Sequence, residues 1–259
     1  MSITNRIQSL GLRLSTLVVY TLLLAPVVVI VLTSFPVSEF PRIPQQGISL
    51  RWYAAILENN DLIAALQTSF FVATVASIGS GILGSVTAYG FVRGEFPYKE
   101  SLSTFMLLPL MISPVITGIA LIRFSTDILN MQNGLSRMVF AHVFLTFPYV
   151  FLLVRAELVT FDERVEQASR VLGANGTETI ANVTIPLIFP SILSSMIISF
   201  VVSFGEFTAT QFLVTFDSVT VPVIIYTMRR EGLTPEISAL STVLILVMLA
   251  GVVVSQKIE

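Results

Sequence analysis

Two ionisable side chains, His142 and Glu206, fall inside apolar stretches of this sequence, and they set what chemistry its membrane-depth part could do. A carboxylate at the centre of a bilayer costs about 2.5–3.5 kcal/mol on insertion scales, so Glu206 is expected to face a polar cavity or a partner group. It stands in Ser203-Phe204-Gly205-Glu206-Phe207-Thr208. With Thr208, Thr210 and Gln211 it forms a candidate lining for a polar path through the bilayer. The competing reading is a structural pair between Glu206 and His142, or between Glu206 and a hydroxyl on a neighbouring helix. His142 is the one histidine and there is no cysteine, so a metal site lacks ligands and thiol chemistry is excluded. Neither His-Glu-x-x-His nor Gly-x-Ser-x-Gly occurs, and no Gly-Lys-Ser/Thr follows the glycines of residues 79–84. The chain is therefore expected to be no enzyme, to bind no cofactor and to hydrolyse no ATP itself.

A second polar feature is the stretch from Thr160 to Pro186, TFDERVEQASRVLGANGTETIANVTIP. Its first residues are densely charged (Asp162, Glu163, Arg164, Glu166, Arg170), and a Gly-Ala-Asn-Gly stop follows at 173–176. Thr160 or Asp162 can cap a helix, with Glu163 at capping-box spacing from Thr160. Val165, Ala168, Val171 and Leu172 share one face, and Gly173 suits a left-handed helix end. The spacing predicts an amphipathic helix over about three turns, 162–174, lying between two membrane spans.

Composition sets the frame for both features. Hydrophobic residues make up 54% of the 259-residue chain and charged ones 12%, about half the charge usual in soluble domains. Mean hydropathy is +0.87. A net charge of −2 without a basic stripe argues against a nucleic-acid partner. Six apolar segments of the ~20 residues needed to cross a bilayer are expected, at 14–35, 64–92, 102–124, 136–156, 187–214 and 237–256. The first is too long for a signal peptide and is read as an anchor. The length then fits one transmembrane domain over 1–259, with a core about 64–256, a loop at 35–63 and a polar loop at 157–186. Small residues in the second span (Ser77/Gly81, Ser80/Gly84, Gly84/Ala88) have the spacing for close helix packing. Pro109, Pro114 and Pro148 should kink or unwind the third and fourth spans. Placing both termini inside puts Arg6, Arg13, Arg93, Lys99, Arg155, Arg164, Arg170 and Lys257 on the inner side, against six positive residues outside, a weak bias.

The polar loop resembles the cytoplasmic coupling loop of permeases in binding-protein-dependent ABC importers. That loop runs Glu-Ala-Ala, three residues, Gly, nine residues, Ile-x-Leu-Pro. Here Gln167-Ala168-Ser169, Gly173 and Val183-Thr184-Ile185-Pro186 occupy the same spacing. Gln replaces Glu and Ser replaces Ala, and a carboxylate stands one residue earlier, at Glu166. The resemblance implies an all-α, six-span permease of type I importer fold, with a cytoplasmic coupling helix between spans 4 and 5. It assigns Glu166, Gln167, Ala168, Ser169, Leu172, Gly173, Ala174 and Pro186 to contact with a separate ATPase that binds ATP and Mg. The implied partners are an ATPase dimer, a second homologous permease, an extracytoplasmic solute-binding protein and the lipid bilayer. Both termini would be cytoplasmic, in a multi-pass protein of the cell membrane. Ser49-Leu50-Arg51-Trp52-Tyr53 is similar to the family's motif before the second span, although Trp52 and Tyr53 also suit a plain interfacial anchor.

Further segments look like the spermidine/putrescine branch: Gln67-Thr68-Ser69-Phe70, Phe91-Val92-Arg93 with Phe96, Pro109 to Pro114, Phe147-Pro148-Tyr149 and Thr234 to Thr242. Gly205-Glu206-Phe207 with Ala209-Thr210 is closer to molybdate, tungstate and sulfate permeases. The implied solute is a polyamine. The alternatives are an oxyanion, ferric iron or thiamine in the same class of importer, or a self-sufficient secondary transporter, for which no half-to-half repeat is visible.

Overall fold

A computed structural model describes residues 3–45 and 47–258, with side chains from Leu12 onward. Helices account for 78% of the chain, and among the described residues no strand forms. Among the described residues five helices are long and apolar enough to cross a membrane: Leu12–Leu32, Asn60–Arg93, Gly134–Thr160, Gly176–Phe204 and Pro235–Ile258. The chain divides into two units, Met1–Ile63 with Ile225–Ile245, and Ala64–Ile224 with Leu246–Glu259.

In the first unit, α1 (Ile3–Leu32) leads into the expected loop at 35–63, which carries helix α2 (Arg51–Glu58). The Trp52 indole donates to Pro36 O at 2.8 Å, and the Tyr53 hydroxyl meets Ser34 Oγ at 2.7 Å. These aromatics fasten α2 to the end of α1 within the chain. Thr33 donates to Ser238, near the start of α12 (Pro235–Ile258), at 3.2 Å.

The second unit holds α3 (Asn60–Arg93, from Ala64 on) against α7 (Gly134–Thr160) and α10 (Ile185–Phe204). The small residues of α3 account for the closeness. A Cβ on Gly84 would stand 2.8 Å from Val150 Cβ, and one on Gly81 would stand 2.6 Å from Met196 Cγ. Between them the hydroxyls of Ser80 and Ser199 pair at 2.7 Å. A core of Ala88, Phe91, Val150, Phe151, Val154, Leu158 and Ile188 closes around this contact. Gly84→Val should therefore cost about 1–3 kcal/mol by overpacking, read as a lower unfolding midpoint in detergent. Gly90→Ala, where a Cβ meets nothing within 4 Å, should leave the midpoint unchanged.

The third apolar segment is not one helix. It is divided into α4 (Lys99–Phe105), the single turn α5 (Leu108–Met111) and α6 (Pro114–Arg123). Proline explains the break. Pro114 pushes the preceding residue out of the helical region, and Ser113 and Ile112 are extended, with ψ of 129° and 142°. Pro148, in contrast, does not interrupt α7. The fifth segment also departs from expectation, because α10 ends at Phe204 with Gly205 as its cap, ten residues before 214. Residues 205–220 are irregular apart from a tight turn at Thr210–Phe212 and a small bridged turn between Thr215 and Ser218. The chain then continues through α11 (Val221–Glu231).

Candidate functional site

The polar loop builds a short helix, α8 (Glu163–Val171). Asp162, not Thr160, is its cap: the Asp162 carboxylate accepts from Arg164 N at 3.0 Å, while the Thr160 hydroxyl is turned back to Glu157 O. At the other end Gly173 adopts φ +99°, Gly173 N donates to Arg170 O, and Ala174 N donates to Ser169 O. That pair of bonds is a Schellman cap, which needs a left-handed residue where glycine stands. A capping box between Asn175 and Glu178 starts the short helix α9 (Gly176–Thr179), where none was expected. A widened helical turn at Ile180–Thr184 then runs into α10, with Pro186 in the first turn of α10.

Two faces of α8 are distinct. Val165, Gln167, Ala168, Val171 and Leu172 point away from the chain, with Val171 and Leu172 exposed by 87% and 88%. Glu166 is turned the other way and is 1% exposed. Its Oε2 accepts from Arg93 Nε at 2.9 Å and its Oε1 accepts from the Thr184 hydroxyl at 2.8 Å. Of Glu166 and Gln167, Gln167 is exposed and Glu166 is engaged within the chain, while Glu163, Arg164 and Arg170 are exposed as well. Ser169 is half-buried, with its hydroxyl 3.4 Å from that of Thr179, and Ala174 is half-buried. Neither Arg93 nor Thr184 stood out as a partner in the sequence, because 73 and 18 residues separate them from Glu166.

The second cluster lies where α10 ends. Both oxygens of Glu206 are occupied: Oε1 accepts from Ala209 N at 2.9 Å, and Oε2 accepts from Thr210 N at 2.8 Å and from the Thr210 hydroxyl. The Thr210 Oγ1 also lies 2.9 Å from His142 Nε2, and His142 Nδ1 lies 2.7 Å from Ser203 Oγ. Because the Thr210 hydroxyl proton goes to the carboxylate, Nε2 must donate to Thr210. Nδ1 pairs with the Ser203 hydroxyl on the other side of the ring. A continuous chain of hydrogen bonds therefore runs Ser203, His142, Thr210, Glu206, tying α7 to the end of α10 and to the segment that follows. The Thr208 carbonyl accepts from Gln211 Nε2 at 3.1 Å, and both residues are half-buried. Gly118 of α6 packs on the same segment, where an added Cβ would stand 2.8 Å from Ala209 Cα.

Residues 80–258, which include the polar loop, match the family described as binding-protein-dependent transport system inner membrane component. The chain belongs to this family. Among curated relatives, the spermidine/putrescine transport system permease protein PotC of Escherichia coli is 28% identical over 240 residues, which are 93% of this chain and 90% of PotC. The putrescine transport system permease protein PotI of the same species is 28% identical over 232 residues, 87% of this chain and 82% of PotI. Among solved structures, a bacterial ABC transporter that imports the acidic polysaccharide alginate aligns with TM-score 0.75 and 15% identity. The alignment covers 99% of this chain and 98% of that one. At that identity the likeness speaks for the permease fold alone. The chain is thus an all-α, multi-pass membrane permease.

Proposed function

We propose that this chain is one permease subunit of an ATP-driven importer that carries a polyamine across the cell membrane. The observation that carries the reading is similarity over nearly the whole chain to PotC and PotI, both named for polyamine transport. The nucleotide and its Mg belong to a separate ATPase dimer, which meets the chain at α8. The geometry supports this assignment: α8 offers Val165, Ala168, Val171 and Leu172 outward together with Gln167 and the exposed charges of Glu163, Arg164 and Arg170, an apolar patch among polar groups. An ATPase can reach α8 only from the cytoplasm, which places both termini inside and the 35–63 loop outside, where a solute-binding protein docks.

The chain forms a single six-span transmembrane domain, 1–259, with its core at 64–256. Five spans are the long helices, and α4, α5 and α6 together make the third. The extended backbone at Ile112 and Ser113 is exposed on this chain. Backbone that is neither helical nor in a closed sheet is not stable against lipid, so a protein neighbour or a watery path covers it. A second, homologous permease supplies that cover. The segment Glu206, Thr208, Thr210, Gln211 borders the path, with Glu206 shaping it through its three accepted bonds. ATP-driven closure of the ATPase dimer moves α8, opens the cavity outward to receive solute, and hydrolysis resets it.

The test is calorimetry of the cognate binding protein with spermidine, putrescine, molybdate and tungstate. Polyamine binding in the micromolar range or tighter, with no heat from the oxyanions, is expected. Oxyanion binding alone would overturn the solute assignment.

A further inference from the structure

Glu166 is the one fully buried side chain of α8, and it is a carboxylate. A helix seated by apolar side chains can slide, because the hydrophobic effect has no direction. A buried carboxylate held by two donors on different elements cannot shift without leaving a charge unpaired. Here the two donors are the last residue of α3, Arg93, and the residue immediately before α10, Thr184. Arg170 of α8 also lies close enough to interact electrostatically with Tyr89, one turn before Arg93 on α3. Phe161, at the entry to α8, lies under the Arg93 guanidinium with its centroid 5.8 Å away.

We propose that Arg93, Glu166 and Thr184 form a joint that makes α8, α3 and the start of α10 move as one piece, so that displacement of α8 is carried into two membrane spans. Glu166 and Arg93 are then positioning residues for the coupling step. The exposed face of α8 receives the push and the buried carboxylate passes it on. The Arg93 Nη2 is buried without a partner in this arrangement. A two-pronged grip of the guanidinium on Glu166 would satisfy it, which gives the joint a second setting available to the other transport state.

The inference rests on the proposed function, and the experiment separates the two. The full complex of this chain with its ATPase, partner permease and binding protein is reconstituted in vesicles. ATP hydrolysis and solute uptake are measured in the same preparation. The double variant R93M/E166L removes both charges and keeps the packing volume, a change that buried ion pairs generally tolerate in stability. It is expected to assemble and hydrolyse ATP within about twofold of the wild type while solute carried per ATP falls about tenfold. The exchange R93E/E166R is expected to recover much of that loss relative to E166R alone. Uptake per ATP at the wild-type level in R93M/E166L would overturn the joint, since a merely structural contact is satisfied by apolar packing. If R93M/E166L fails to assemble, the exchange decides: coupling no better than in E166R alone overturns the proposal. Absence of ATP-dependent uptake in the wild type would instead defeat the importer reading, and the joint with it.

Discussion

Gly173→Val is expected to abolish most solute uptake while leaving membrane insertion and ATP hydrolysis in place. A Cβ at Gly173 meets nothing within 4 Å, so the damage is not a clash. It comes from φ +99°, which an L-residue adopts only at a cost of about 1–3 kcal/mol and a β-branched one most reluctantly. The Schellman bonds of Gly173 to Arg170 and of Ala174 to Ser169 would open, and Val171 and Leu172 would leave the outward face. A misplacement worth about 1.4 kcal/mol is a tenfold loss, so uptake is expected to fall about tenfold or more. Gly173→Asn should retain most of the uptake, because asparagine enters the left-handed region more readily. Measured ATP hydrolysis and uptake in vesicles give the check. Equal uptake in the wild type and the valine variant would contradict the coupling role of this loop.

Glu206→Ala is expected to damage stability and transport together. The change strands the backbone N–H groups of Ala209 and Thr210, both fully buried, and takes the acceptor from the Thr210 hydroxyl. At about 1–3 kcal/mol for each unsatisfied buried donor, the loss is roughly 2–6 kcal/mol. That corresponds to an unfolding midpoint lower by about 5–20 °C. Glu206→Gln should fail similarly, because its amide nitrogen would face donors where an acceptor is needed. Thermal unfolding in detergent, with uptake kinetics beside it, gives the readout. An unchanged midpoint with a raised KM for solute would show that Glu206 touches the solute directly.

Much of this was legible in the residues, because it depends on local rules. The Gly-Ala-Asn-Gly stop marked the end of α8, and Gly173 does occupy the left-handed position that its place after Leu172 implied. The small-residue spacing of α3 marked the face that meets Val150 and Met196. What the sequence hid depends on pairs far apart along the chain. Glu166 lies one residue from the family's usual carboxylate position and looked like a second outward contact, but Arg93 and Thr184 draw it inward. The apolar run 187–214 places Glu206 deep in a continuous span. Hydropathy dips only at Gly205-Glu206 and recovers at Phe207, so averaged over a span-length window it does not mark the stop at Gly205. The signal that could have located the stop is Glu206 followed by Ala209 and Thr210, the spacing at which a carboxylate caps a new turn. The break in the third span was foreseeable from Pro109 and Pro114, but its extended form at Ile112 and Ser113 was not.

The most direct test of the central claim is ATP-dependent uptake of labelled spermidine or putrescine into vesicles that hold this chain with its ATPase and partner permease, supplied with the loaded binding protein. Uptake that requires the binding protein and ATP, and that stops when this chain is omitted, is the expected result. Polyamine accumulation driven by an ion gradient with neither ATP nor binding protein would contradict it.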